Sequence, residues 1–302
     1  MRGWAAFSLG VAHHLKGTGV EGFQMQLDLF EKWRKKTGYR MADRQIGYRG
    51  KKFDEVCFQR QLREKMDEGR PTASLSGAKM CEIPFKIAQD FILKYEWLGT
   101  MGTTKFSLGM FCENELTGVM CFGLTAGTGA ISEVFGEENK SYGIVLVRGA
   151  CASHAHPHSG SWMVGQAKVE LARRGYLFVI AYSDPEAGEI GTLYQATNWQ
   201  FYGFTSPVNY LVRPDGKRVD PKIIHKYAKK RGVTSQQQKQ KFLDEGYTFE
   251  RGSRKLKYFL VFGDKRKTKN LKKHQRVSVY PYLKRGNGMA SLYDVWKREC
   301  VA

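Results

Sequence analysis

The sequence predicts an α/β fold, in which a mixed central sheet is flanked by helices, with a helical N-terminal extension and a basic insert near the C-terminus. Between residues 81 and 263, short apolar runs alternate with amphipathic segments, the pattern of a sheet with helices packed on it. Residues 21–70 instead alternate charged and apolar positions at helical spacing. The predicted parts are a basic helical extension (1–80), a core domain (81–263) with a basic helical insert at about 213–255, and a basic tail (264–302).

The elements of the core domain follow a definite order. A helix at 84–97 begins at Pro84 and stops before Gly99, as caps of these types indicate. The further elements are strands at 105–112 and 117–124 joined by the loop ENEL, a buried strand at 142–152, a helix at 159–175, a buried strand at 176–184, a short helix at 189–199, and strands at 201–206, 209–213 and 254–263. This order is similar to that of the GNAT acyltransferases.

Composition excludes several classes of protein. Hydrophobic residues make up 42% and aromatic residues 13% of the chain, which favours a packed core over disorder. No window approaches the ~20 continuous apolar residues of a membrane span, and the short apolar segment WAAFSLGVA lacks a signal-peptide cleavage site. None of the six Cys lies in a CxxC pair, so we expect free thiols and a cytoplasmic protein.

Positive charge is concentrated near the C-terminus. The net charge is +20, and residues 213–285 carry 23 Lys and Arg against 6 Asp and Glu. A field of this size attracts a polyanion, and we expect double-stranded DNA as the partner; the alternative is a set of solvated helix faces. The predicted nucleic-acid contacts are Lys226, Lys229, Lys230, Arg231, Lys265, Arg266 and Lys267.

A dense polar group occupies the stretch AYSDPEAGEIGTLYQATNWQFYG, residues 181–203. Asp184 follows a buried strand, at the strand end where α/β sheets place their ligands. Tyr194 and Asn198 are four residues apart and share one helix face. Further candidate substrate contacts are Ser183, Glu189, Asn198 and Trp199. The alternative is that Asp184 caps the helix, while Tyr194 and Trp199 belong to the core.

A second polar group lies in VRGACASHAHPHSGSW. His154, His156 and His158 alternate, which predicts one shared side on an extended chain, and His154 with His156 would suit iron or zinc. The alternative is a polar loop that contacts phosphate, and we class His158 as substrate-binding. Ser159–Ser161 begin a helix whose free N–H groups suit an anion, and Arg148 ends the preceding strand and would aim at the same crevice.

A third candidate pair ends the first helix of the core domain, in KYEWLGTMG. Glu96 is a general base if it is partly buried, and otherwise a solvated carboxylate. Trp97 offers a ring on which a nucleic-acid base stacks.

The three segments FILKYEWLG, VRGACASHAHPHSGSWMVG and AYSDPEAGEIGTLYQATNWQFYG resemble the core motifs of the Mom family. These are phage DNA-modification proteins on a GNAT-like fold that place a carbamoylmethyl group on N6 of adenine. The resemblance covers about 82–212 and, more loosely, continues to 263. It implies that Asp184 and Tyr194 are catalytic, with Arg148 as the strand arginine and Ser161 as the serine that begins the next helix.

The resemblance also implies protection of phage DNA from restriction in the cytoplasm of an infected host cell. Two departures from the expected patterns bear on the chemistry. Glu96-Trp97 stands where we expect a His-Tyr pair, so Glu96 is the catalytic candidate there. The Arg-x-x-Gly-x-Gly/Ala loop with which GNAT enzymes hold CoA is replaced by HPHSGSWMVG, so the donor stays open between an acyl-CoA and an aminoacyl-tRNA type.

Three functions therefore compete. The first is a transferase that modifies adenine in DNA, with Arg148 and the helix start at Ser159–Ser161 holding an anionic donor. The second is a GNAT-type N-acyltransferase that acts on a protein or small-molecule amine, which leaves the charge of residues 213–285 unused. The third is a non-enzymatic DNA-binding protein, which leaves the clustered polar residues unused.

Overall fold

The computed structural model describes residues 67–96, 101–124, 129–185, 189–207, 209–216, 218–219 and 221–283. The helices predicted within 21–70 fall almost wholly outside these ranges, as do Trp97 and the tail beyond residue 283. No helix within the described ranges is long and apolar enough to cross a membrane.

A seven-stranded mixed sheet forms the centre of the molecule and confirms the predicted fold class. Its strands lie in the order β1, β2, β3, β4, β5, β10, β6, and only β4 and β5 are parallel neighbours. The strands are β1 (Lys79–Ile83), β2 (Thr104–Cys112), β3 (Glu115–Gly123), β4 (Gly143–Cys151), β5 (Phe178–Ser183), β6 (Gln200–Phe204) and β10 (Leu256–Val261). Strand β3 is buried at every residue after the first, as its nearly continuous apolar sequence predicts for a strand covered on both faces.

Helices cover both faces of this sheet. They are α1 (Phe85–Tyr95), α2 (Gly129–Phe135), followed by a 3-10 turn (Glu137–Tyr142), α3 (Ser159–Arg173), α4 (Thr192–Ala196) and α7 (Lys265–Lys272). Helices α3 and α4 share one face, where their apolar side chains belong to the same core cluster as Met120, Phe122 and Leu146. Helix α1 packs on the opposite face against Val119 and Cys121, and α2 and α7 share that face further along.

Strands β4 and β5 pair over only three residues. Gly143–Val145 pair with Phe178–Ile180, and within the described strands the pairing stops there. Next to this point β4 contains a bulge, because Leu146 pairs with Phe122 whereas Arg148 pairs with Cys121. The extra residue is Val147. Because of it, every later side chain of β4 points to the face of the sheet opposite to the one that regular alternation would give. The sheet therefore opens at the carboxyl ends of β4 and β5.

The predicted basic helical insert lies between β6 and β10, and it contains a second sheet as well as two helices. Its elements are β7 (Asn209–Val212), β8 (Arg218–Val219), α5 (Lys222–Arg231), α6 (Ser235–Asp244) and β9 (Thr248–Arg251), and the strand order is β8, β7, β9. Leu211, Val219 and Phe242 form its small core. Sequence patterns missed β8, which has two residues, and β9, which is exposed throughout.

The described part of the predicted tail, residues 264–283, packs on the core domain. The Arg276 amide donates to the Val134 carbonyl at 2.8 Å. The Tyr282 hydroxyl donates to the Trp199 carbonyl at 2.7 Å, and Leu283 is buried. This segment therefore crosses the sheet edge formed by β6 and closes over it.

A glycine at the start of α4 yields a stability prediction. Gly191 has φ +76°, and a Cβ there would lie 2.5 Å from the Tyr258 ring. The Tyr258 hydroxyl donates to the Ile190 carbonyl at 2.6 Å, so the ring is held in place. We expect Gly191→Ala to lower the free energy of unfolding, measured by urea denaturation, by roughly 2–4 kcal/mol through strain and overpacking.

Gly216 is the matched control, because its φ is +79° and nothing lies within 4 Å of the Cβ position. Gly216→Ala should cost only the conformational strain, roughly 1–2 kcal/mol. Equal losses in the two variants would contradict the tight contact with Tyr258.

Candidate active site

Asp184 lies at the carboxyl end of β5 and is buried. Its Oδ2 forms an ion pair with Lys255 Nζ at 3.0 Å, and its Oδ1 accepts a hydrogen bond from Ser253 Oγ at 3.3 Å. Both partners lie on the segment that leads from the insert into β10. Asp184 does not cap α4, because Gly191 is the N-cap residue and no side chain caps the helix.

Sequence analysis missed Ser253 and Lys255. They lie about seventy positions beyond Asp184, and the only available signal was the run of basic residues before the last strand. Antiparallel pairing places Leu256 opposite Ser183, which brings these residues to the end of β5.

Tyr194 is the second candidate, and its phenol is a donor at neutral pH. The ring lies 4.9 Å from that of Trp199 and 5.2 Å from that of Tyr258. Burial, with added effects of Glu189, Tyr258 and Glu96, raises its pKa well above the usual value. The hydroxyl therefore stays protonated, suited to donating a hydrogen bond to a developing negative charge.

Arg148 and Glu96 lie on the α1 face of the sheet. The bulge at Val147 turns Arg148 to the side of Cys121, where a Cβ at Gly102 would lie 3.7 Å from its guanidinium. The pKa of the Cys121 thiol is raised to about 11, mainly by burial. The charge of Arg148 acts to lower this pKa, and the charge of Glu96 acts to raise it. Glu96 is the C-cap residue of α1, and its charge raises the pKa of both Cys121 and Tyr194.

The first turn of α3 approaches α4 closely. A Cβ at Gly160 would lie 3.0 Å from Leu193, so α3 begins beside the helix that carries Tyr194. Ser161 is half-buried and His158 is exposed at the N-cap position, where its side chain makes no capping bond. The first amides of a helix have no acceptor within it, which suits an anion.

Two buried hydroxyls near these elements have unused hydrogen-bonding capacity. Ser159 Oγ at the start of α3 and Ser183 Oγ at the end of β5 have no hydrogen-bond partner among the described residues. An unsatisfied buried group costs about 1–3 kcal/mol. Both serines were predicted as substrate-binding, and a ligand or water in the opening would satisfy them.

The three histidines do not share one side of the chain, as their alternation predicted. His154 is buried between Asp67 Oδ2 at 3.3 Å and Glu115 Oε1 at 3.4 Å. Burial alone would lower its pKa, but the two carboxylates raise it. His156 instead accepts a hydrogen bond from the amide of His158 at 3.1 Å. The chain turns at 153–155, which breaks the alternation of an extended strand.

A metal centre therefore has no support from the geometry of His154 and His156. Across the described ranges, no group of three His, Cys, Asp or Glu side chains is arranged to hold a metal ion. His154 instead belongs to a charged cluster in which it and Asp67 are buried and Arg70 and Glu115 are partly exposed. Arg70 donates to Glu115 at 2.6 Å.

The structure corrects the prediction for Trp199 and locates two other candidates. Trp199 is 2% exposed and belongs to the core, so it cannot stack on a substrate base. Asn198 is exposed, with φ +62° at the turn that follows α4, a conformation that Asn tolerates. Glu189 is half-buried, and its amide donates to the Asp184 carbonyl at 3.1 Å.

The predicted basic contacts divide between two ends of the sheet. Lys226, Lys229, Lys230 and Arg231 are exposed on α5 of the insert, which joins the core beside Asp184. Lys265, Arg266 and Lys267 are exposed on α7, which follows Val261. Val261 pairs with Phe178 at the beginning of β5, so α7 follows a strand end that lies about 20 Å from Asp184 along the strand.

Solved structures with partial similarity to the chain are acetyltransferases. The ribosomal-protein-S18-alanine N-acetyltransferase from Escherichia coli is 8% identical, with a TM-score of 0.35 over 62% of this chain and 95% of that chain. Aminoglycoside 6'-acetyltransferase type Ii is 9% identical, with a TM-score of 0.33 over 61% and 96%. An N-acetyltransferase from Staphylococcus aureus Mu50 is 16% identical, with a TM-score of 0.28 over 52% and 67%.

No curated protein sequence matches the chain significantly. The model of the Mom protein family matches residues 78–283, a range that includes Glu96, Arg148, Ser161, Asp184, Tyr194 and the whole insert. Because this match covers more than half of the sequence, the chain belongs to the Mom protein family.

Proposed function

We propose that this chain is a transferase that modifies DNA, adding a carbamoylmethyl or related acyl-derived group to N6 of adenine, and that the modification protects phage DNA from host restriction. Family membership and the acyltransferase-like order of its elements support an acyl-transfer function. The observation that carries the choice of DNA is the ion pair between Asp184 and Lys255. This ion pair connects Asp184, a buried acid of the candidate site, to Lys255, which lies where the cationic insert leads into β10.

The target amine sets the chemical problem. The N6 amine of adenine is a poor nucleophile and is stacked inside the duplex, so the base has to be extruded at a cost of a few kcal/mol. In an acyl transfer, the bond from N6 to the donor's carbonyl carbon forms, the bond from that carbon to the thiolate or ribose oxygen of the donor breaks, and the N6 proton passes to a carboxylate. A carbamoylmethyl group forms in the same way only where the attacked carbon is a methylene carbon that carries the leaving group. Glu96 and Asp184 are the two candidate bases, and either serves in this role.

The remaining candidates suit the donor. The protonated Tyr194 hydroxyl donates to the oxygen on which charge develops. Arg148 lies on the face of the sheet that α1 covers, and the start of α3 lies on the opposite face, next to α4. Together they hold an anionic donor group across the opening. The unpartnered hydroxyls of Ser159 and Ser183 add hydrogen bonds inside it. Both an acyl-CoA and an aminoacyl-tRNA type of donor carry the phosphate groups that such a site binds.

The alternative is a GNAT-type N-acyltransferase that acts on a protein or small-molecule amine. The order of elements and the anion-suited start of α3 fit it equally well. Mass spectrometry of nucleosides from cells that express the chain distinguishes the two functions. An adenine adduct supports the proposed function, whereas unmodified DNA with acylated protein or metabolite supports the alternative.

Removal of a candidate catalytic group yields the first activity prediction. Asp184→Asn, Tyr194→Phe and Glu96→Gln keep the shape of each side chain and remove an acid or a hydroxyl. We expect each to lower the amount of adenine adduct, measured by nucleoside mass spectrometry, by about 100-fold or more. DNA affinity should stay within about twofold of wild type, because no cation is removed.

The matched controls are Glu82→Gln and Tyr142→Phe, because both side chains are exposed and neither is a site candidate. They should retain wild-type adduct levels. Wild-type levels in both Asp184→Asn and Tyr194→Phe would remove this end of β5 from the catalytic mechanism.

The insert yields a prediction about salt dependence. Each phosphate contact contributes about −0.9 to the slope of log affinity against log salt concentration on duplex DNA. Replacing Lys226, Lys229 and Lys230 by Gln should flatten that slope by up to about three, measured by fluorescence anisotropy between 50 and 200 mM salt.

Replacing Lys265, Arg266 and Lys267 by Gln removes the same charge at the opposite end of the sheet. This variant should flatten the slope less than the insert variant does, because its cations lie farther from the candidate site. Equal effects of the two triple variants would show that the insert has no special part in binding DNA.

A further inference from the structure

Helices α5 and α6 of the insert form a helix–turn–helix pair. The turn is Gly232–Thr234, in which Gly232 adopts φ +67° and the Val233 amide donates to the Ala228 carbonyl at 3.1 Å. Thr234 caps α6 through a capping box with Gln237. A three-residue turn with a left-handed glycine and a firm cap is the connection found in DNA-binding helix–turn–helix units.

Inward side chains hold the two helices together. The Tyr227 and Phe242 rings lie 5.9 Å apart, and Arg231 Nη1 donates to the fully buried Gln238 at 3.0 Å. The three-stranded sheet supports the pair through Leu211 and Val219. The outward faces of α5 and α6 are therefore presented by a packed unit.

The two outward faces differ in chemistry. Helix α5 exposes Lys226, Lys229 and Lys230, and the first two turns of α6 expose Gln236 and Gln240 together with Lys239 and Lys241. These glutamines are four residues apart and share one face. Gln240 donates to the exposed Asp244 at 2.9 Å, a contact that water exchanges readily, whereas Gln237 and Gln238 are occupied by the cap and by Arg231.

We propose that α6 reads the base sequence of duplex DNA in the major groove through Gln236 and Gln240, while α5 binds the phosphate backbone. This inference rests on the proposed function and adds to it the element that selects the DNA around the modified adenine. In helix–turn–helix units the second helix contacts base edges through its N-terminal residues, and the first crosses the backbone. A glutamine amide pairs with N6 and N7 of adenine.

Duplex DNA fits this surface better than a single strand does. Sequence-tolerant binding of single strands requires exposed aromatic rings on which bases stack. Within the described part of the insert, the Tyr227 and Phe242 rings pack inward instead, and Tyr247 packs against Phe242 at 4.8 Å. The Phe249 ring on β9 is 38% exposed, but Lys239 Nζ lies over it at 4.9 Å. The exposed face carries amides and cations, which suit base edges and phosphates.

The test is selection of bound duplexes from a randomised library by the full-length chain, followed by sequencing and by anisotropy on single duplexes. We expect the wild-type chain to enrich a motif. The double variant Gln236→Ala, Gln240→Ala should lose preference at one or two base pairs, by about tenfold or more at each. Its salt slope should equal that of wild type, because no charge is removed.

Two comparisons sharpen this test. Gln166→Ala, which removes an exposed glutamine of α3, should keep the full motif. The Gln variant of Lys226, Lys229 and Lys230 should lose affinity on all sequences and keep the motif. A double glutamine variant with the wild-type motif, or a wild-type chain that prefers single strands, would overturn the inference.

Adduct formation on the same duplexes distinguishes the two proposals. A wild-type chain that modifies adenine in every sequence context with no preference in binding overturns the reading by α6 and leaves the proposed function intact. A wild-type chain that selects a motif through Gln236 and Gln240 but forms no adduct supports the inference and contradicts the proposed function.

Discussion

The early end of pairing between β4 and β5 is the constraint on which the candidate site depends. After three paired residues the two strands separate, and the bulge at Val147 turns Arg148 to the α1 face. Since backbone groups in such an opening have to find partners, it is suited to an extended ligand. Glu96 ends the helix that covers one face of the sheet, and Tyr194 lies on the helix that covers the other, so the predicted site draws on both layers.

The same end of the sheet carries the insert. Chains leave β6 and enter β10 beside Asp184, and Arg254 donates to the Thr205 carbonyl at 3.2 Å, which holds the two connections together. The ion pair between Asp184 and Lys255 links this neck to the strand end. Because Asp184 is buried while Lys255 is half-exposed, loss of Lys255 would leave a buried carboxylate without this cation. The position of the insert and the form of the site are therefore coupled.

Much of the fold was predictable, because local patterns carry it. Strand and helix order followed from hydrophobic periodicity, and the end of α1 followed from its stop signal. Boundaries were less certain: α4 has five residues where eleven were predicted, because Gly191 begins the helix late. In the site, Asp184 and Tyr194 were predicted from the end of a buried strand and from the resemblance, and their catalytic roles stay predictions. The burial of Trp199 was missed because the helix pattern does not show which face is covered.

The sequence by itself determined most of the helices and strands of the core domain and the concentration of charge, since each depends on residues that are close along the chain. It did not predict β1, α2, β8 or β9. Only the tertiary structure decided the facing of Arg148, the partnership of Asp184 with Lys255, and the burial of His154 between two carboxylates. It also placed the two basic stretches at opposite ends of the sheet. These features depend on strand register and on contacts between distant residues, and a one-residue bulge is enough to reverse a side chain.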